Sequence, residues 1–110
     1  MPTLNTEGST LTDGTEQILA TVTANKYLQF SVNTTPLQAG DTIKVRWYKK
    51  VKSTGTLARF AVETYTDDQT VEPLSPVKDS GPFWIATQAR LSIQRTAGTD
   101  RTFDWEILES

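Results

Sequence analysis

The sequence predicts an all-β chain: an antiparallel β-sandwich of seven to eight strands, jelly-roll-like or immunoglobulin-like in its connections. Three observations lead there. Turn-forming clusters recur at short intervals ("TEGST", "TDGTE", "NTTPLQAGD", "STGT", "TDDQ", "PLSPVKDSGP", "TAGTDR"). The segments between them are short and rich in Val, Ile, Thr, Phe, Tyr and Trp, and most alternate apolar with polar residues, so that one face of each is apolar. No window sustains the 3.6-residue period of an amphipathic helix.

Taken in order, the first dozen residues are polar and read as a flexible arm over 1–12, ahead of a single domain over 13–110. Ile18, Ala20 and Val22 share one face of "EQILATVTA", and Leu28, Phe30 and Val32 one face of "KYLQFSVN". Ile43, Val45 and Trp47 share a face of "DTIKVRWYKKV", which Val51 extends. Phe60 and Val62 share a face of the next segment. An eighth strand over Glu72–Val77 is limited by Pro73 and Pro76 to an edge or a loop. "FWIAT" at 83–87 is apolar on both faces, as in a central strand or one that meets a neighbouring subunit. Leu91 with Ile93, and Phe103 with Trp105 and Ile107, supply the remaining inward rows.

The composition narrows the chemistry. The chain has 110 residues, a net charge of -2, and neither cysteine nor histidine. Disulfides, thiolate nucleophiles, sulfur-bound zinc and the commonest general base are therefore excluded. No stretch approaches the ~18 apolar residues of a helical membrane span. The first ten residues carry no basic, apolar leader, so no signal peptide is expected. Nucleotide-binding glycine motifs and a G-x-S-x-G elbow are missing. The expectation is a non-enzymatic protein with no catalytic residues, cofactor or metal.

Five of the eleven basic residues lie in "KVRWYKKVK". With Val45 and Trp47 inward, Lys44, Arg46, Tyr48 and Lys50 form an outward basic stripe that includes an aromatic. Single-strand nucleic-acid binders use such surfaces, but a solvated strand face that blunts an edge is the favoured reading. In "RTFDWEIL" the outward pair is Asp104 and Glu106. A basic and an acidic strand with matching alternation can pair side by side or meet across an interface between copies. The negative net charge further disfavours nucleic acid.

Of the three tryptophans, Trp47 and Trp105 fall on inward faces. Trp84 is the one candidate for an exposed aromatic that contacts a ligand or partner, although core is its favoured place. The pair Asp104 and Glu106 carries nothing else that marks a glycosidase. The loop carboxylates Asp13, Asp41, Asp67 and Asp68 lack the calcium-loop series and read as solvated turns.

Three stretches in this order and spacing, "LTDGTEQILATVTA", "GDTIKVRWYKKVKSTGT" and "QRTAGTDRTFDWEIL", resemble a group of small single-domain proteins encoded among the structural genes of tailed bacteriophages. The resemblance covers about residues 10 to 108 and is a pattern of strands and turns rather than a catalytic signature. It implies a virion accessory protein, a decoration or cement protein of the head in preference to a tail or fibre component. The implied partners are copies of itself, a trimer being favoured because threefold positions are common on capsids, and the major capsid protein or another virion protein. The alternative is a carbohydrate- or receptor-binding module of a tail or fibre, and a third reading is the single-strand nucleic-acid binder. No functional residue is carried over from the resemblance.

Overall fold

A computed structural model describes residues 2–110. It contains nine strands: β1 (Thr3–Leu11), β2 (Gln17–Thr23), β3 (Lys26–Asn33), β4 (Thr42–Lys49), β5 (Ala58–Thr66), β6 (Val77–Asp79), β7 (Phe83–Ile85), β8 (Gln88–Ala97) and β9 (Thr102–Glu109). They form two antiparallel sheets. Sheet A runs β1-β9-β3-β6, with β7 also on β3, and sheet B runs β2-β8-β4-β5. β6 and β7 lie along the same edge of β3, one against Ser31–Asn33 and the other against Lys26–Leu28. Between them Ser80 bonds the backbone of Phe30, its N–H donating to the Phe30 carbonyl (2.8 Å) and its hydroxyl accepting from the Phe30 N–H (2.9 Å). Residues 77–85 are thus one interrupted strand. Counted so, eight strands exchange sheets at nearly every connection, and the order is that of a jelly roll.

The core forms where the two inner faces meet. Leu28, Phe30 and Val32 of β3 and Phe103 and Ile107 of β9 face Ile43, Val45 and Trp47 of β4 and Leu91 and Ile93 of β8; all are buried. Each large side chain placed there contributes roughly 1.5–3 kcal/mol of transfer free energy. The two inner strands of each sheet carry nearly the whole core. They are flanked on both sides, so their inward rows are the best covered.

Several expectations change at the edges. Residues 3–11, expected as part of an arm over 1–12, form β1, paired along β9 from Thr3↔Glu109 to Leu11↔Thr102; Met1 lies outside the described residues. A polar sequence can do this because an edge strand needs backbone pairing more than side-chain burial. One glycine helps: Gly8 lies opposite Trp105, whose indole covers it and donates from Nε1 to Thr10 Oγ1 (3.1 Å). Trp105 is only partly buried, because nothing lies beyond this edge. A register shift at Leu19 turns Ile18 outward to 57 % exposure, and Leu19 packs on the core in its place. A shift near Phe60 leaves Phe60 and Val62 exposed while Ala61 and Tyr65 turn inward. Val51 does not extend the β4 face, since the chain has already turned there. Residues 72–76, read as an edge or a loop, are indeed a loop, with a cis peptide bond at Glu72–Pro73, and Val77 opens the edge strand β6. "FWIAT" is neither central nor long: its first three residues are β7.

One end of the sandwich closes on Asp41. This buried carboxylate accepts from the N–H of Gln38 (2.9 Å), the N–H of Thr99 (2.9 Å) and Arg101 Nε (2.8 Å). It thereby ties the β3–β4 connection to the β8–β9 turn. Gly98 takes φ +85° beside it, and a Cβ there would collide with Asp41 Oδ1. Asp41 is therefore a structural hub rather than a solvated turn residue. Asp13 and Asp68 behave as local turn residues, each accepting from the backbone N–H and the hydroxyl of a threonine two positions on.

Burial opposes ionisation of Asp41, but the two N–H donors and the arginine outweigh it, so its carboxyl titrates below the ordinary aspartate range. Folding therefore releases a proton from this group. Its stabilisation is complete above the unfolded aspartate range and is lost as pH falls through the lower, folded value. Urea unfolding should show Asp41→Ala destabilised by about 1–3 kcal/mol at pH 7, with the gap to wild type narrowing at pH 2. An unchanged gap would remove Asp41 from the acid response.

Candidate functional site

The residues singled out in the sequence fall on two opposite outer faces. On sheet B, Lys44, Arg46 and Tyr48 alternate outward along β4, aligned with Gln94, Ser92 and Arg90 of β8. Lys50 follows the end of β4, its N–H bonded to the Gln88 carbonyl (3.1 Å). The stripe is real, but it is not free. Glu16, from the β1–β2 connection, lies over its middle: it accepts from the Tyr48 hydroxyl and the Ser92 hydroxyl and sits 3.9 Å from Arg46 Nη1. Arg46 also donates to Gln94 Oε1 (2.9 Å). Burial works against the Glu16 charge, yet Ser92, Tyr48, Arg46 and Arg90 together hold its carboxyl below the usual range. Burial and the Glu16 carboxylate push the Tyr48 phenol up. Arg46 and Tyr48 are thus mainly internal partners of Glu16, and Lys44, Arg59 and Arg90 carry the remaining positive charge of this face.

On sheet A, Asp104 and Glu106 point outward along β9 as expected. Register places Glu7 and Ser9 of β1 on one side of them and Ser31 and Asn33 of β3 on the other. Asp79 of β6 joins the same face, accepting from Gln29 Nε2 and Ser31 Oγ. No lysine or arginine shares this face on those strands. Asp104 accepts from Ser9 Oγ (2.5 Å), while Glu7 and Glu106 have no ion-pair partner among the described residues. Between them runs a groove of about 530 Å3, with Val77 at its rim.

β4 and β9 therefore do not pair with each other. Each is an inner strand of its own sheet, and the matched charges lie on opposite sides of the molecule.

Trp84 is not core. It is 48 % exposed and packs edge-to-face on Tyr27 (49 % exposed), its cross-strand neighbour, with ring centroids 5.0 Å apart. The pair sits on the outer face of sheet A, at the end opposite the Asn33–Asp104 pair. Lys49 Nζ lies 3.5 Å from the Trp84 carbonyl and 5.5 Å from the centroid of the Phe60 ring.

Sequence reasoning missed Glu16, Tyr27, Glu7 and Asp79. For Glu16 a weak signal existed, a carboxylate one residue ahead of a strand. The others take their place only from long-range strand pairing. Among the described residues no three His, Cys, Asp or Glu side chains gather closely enough to hold a metal ion.

Comparison with protein-family models, with curated proteins and with solved structures finds no match.

Because burial and the Glu16 carboxylate together raise the Tyr48 phenol, Glu16→Gln should move one tyrosine titration part of the way down in an absorbance titration, toward the ordinary value near 10. Stability should change by no more than about 1–2 kcal/mol, since the site is partly exposed. Gly8→Ala should cost about 1–3 kcal/mol and shift tryptophan emission, because a Cβ would lie 2.8 Å from Trp105 Cζ2.

Proposed function

We propose that this chain is a non-enzymatic structural component of a virus particle, a decoration protein that binds the head shell and copies of itself. The observation that carries this reading is the separation of charge between the two outer faces. Sheet A presents Glu7, Asp79, Asp104 and Glu106 with no cation among them, and sheet B presents Lys44, Arg46, Arg59 and Arg90 against the single carboxylate of Glu16. Opposite faces of opposite sign suit repeated contacts between like subunits, and they steer orientation as well as attraction. On a lattice many weak contacts add through effective concentration. The jelly roll is a frame that capsid domains use, which is an analogy of fold and carries less weight than the faces.

A second reading is favoured by one observation, the exposed Tyr27–Trp84 pair. Together with Gln29 and Asp79 on the same face it offers a ring surface and hydrogen-bonding groups of the kind a saccharide takes, as in lectin-like jelly rolls. Single-strand nucleic acid fits less well, because Glu16 occupies the middle of the cationic stripe and its aromatic.

Particles purified through a density gradient from a lysate that expresses the gene should contain the chain as a fixed multiple of the major shell protein by mass spectrometry. Particles without it would end the decoration reading. Saturable quenching of tryptophan emission by oligosaccharides, lost in Trp84→Ala, would favour the saccharide reading instead.

A further inference from the structure

We propose that the β4–β5 hairpin tip of one copy docks into the acidic groove on sheet A of the next. This rests on the self-association in the decoration reading and names the surfaces that carry it. The tip is the loop between Lys49 and Ala58. It carries Lys50, half-buried, and Lys52, exposed, on either side of Val51, which at 88 % exposure is the most exposed large apolar side chain among the described residues. Neither lysine has an ion-pair partner among the described residues. The loop is braced by the Gly55 N–H on the Lys52 carbonyl (2.8 Å), and Lys49 is drawn aside to Phe60 and the Trp84 carbonyl, so the forward charge belongs to Lys50 and Lys52.

The groove has the reciprocal composition. Glu7, Asp104 and Glu106 supply unneutralised carboxylates, and Val77, 58 % exposed, supplies an apolar rim for Val51. Its volume of about 530 Å3 accommodates a loop of a few side chains. An apolar contact bordered by charge pairs is the ordinary anatomy of a protein interface. Two independent complementarities, of charge and of apolar surface, select the same occupant.

Topology requires that the occupant be another molecule. β3 ends at Asn33 beside the groove, and the connection from there leads straight into Thr42, where β4 begins. β4 then runs the length of the sandwich to Lys49, so the tip lies at the far end from Asn33 and Asp104. A chain whose greatest extent is 41 Å and whose sheets are closed against each other cannot fold its tip back across its own outer face. Each copy thus offers one tip and one groove, and repeated tip-into-groove contacts make a ring, or an open row where the rotation does not close.

Sedimentation velocity on the full chain tests this. Wild type should associate, and association should weaken between 50 mM and 500 mM salt, roughly, as screening predicts. A tip variant, Lys50→Glu with Lys52→Glu, and a groove variant, Asp104→Lys with Glu106→Lys, should each raise the dissociation constant at least about tenfold. Circular dichroism and thermal midpoints like those of wild type would show that both variants fold. Mixing the two variants should then restore a complex, because the lysine tip of the groove variant meets the intact groove of the tip variant. A wild-type chain that stays monomeric at about 1 mM, variants that associate like wild type, or a mixture that restores nothing would each overturn the docking. Presence in purified particles is measured separately, so a chain found in particles without this docking, or docking without being found there, shows which of the two ideas failed.

Discussion

Rows of apolar side chains from the inner strands of each sheet close on one another, and nearly every other placement in the molecule follows from that closure. Phe30, Phe103 and Ile107 on one side and Ile43, Leu91 and Ile93 on the other are fully buried. Once these rows face inward, strand geometry forces their neighbours outward. Lys44 and Arg46 must then lie on one outer face, and Asp104 and Glu106 on the other. The separation of charge is thus a by-product of where the apolar residues had to go, and a slip of one residue in either strand would bury charge and expose rings.

Closure of the rows leaves the ends of the sandwich open, and polar groups seal them by different means. At one end Asp41 gathers two backbone N–H groups and an arginine from two connections. At the other, Lys26 pairs with Glu109 (3.3 Å), and Ser110 exchanges backbone bonds with Tyr27. A buried carboxylate is tolerated at the first end because its donors are fixed by turns that the sheets already position. Gly98 belongs to that arrangement through its conformation and its lack of a Cβ.

The outer faces are not equivalent in their freedom. On sheet B a carboxylate from a connecting loop is spent on the middle of the basic row, so the positive charge left over is distributed toward the edges and the hairpin tip. On the outer face of sheet A, Asp79 and Asp104 meet only hydroxyls and amides, and Glu7 and Glu106 have no ion-pair partner among the described residues. A molecule built this way has an unsatisfied acidic surface and an unsatisfied basic projection, with an exposed aromatic pair at a third position.

The sequence by itself determined the class of the fold, the inward rows of the inner strands and the outward direction of Lys44, Arg46, Tyr48, Asp104 and Glu106. All of these follow from the two-residue period of a strand, which is a local property. Tertiary structure alone decided what lies opposite and beside each strand. It made the polar N-terminal segment an edge strand, because β9 offered a free edge with an indole to cover Gly8. It set Ile18, Phe60 and Val62 outward, because register shifts depend on the partner strand as well as on the strand that carries them. It placed Trp84 on the surface beside Tyr27, although an apolar run of that kind reads more readily as core. It also brought Glu16 onto Tyr48 and assigned the acidic and basic strands to different sheets. Those relations join residues far apart in the chain, and no local period encodes them.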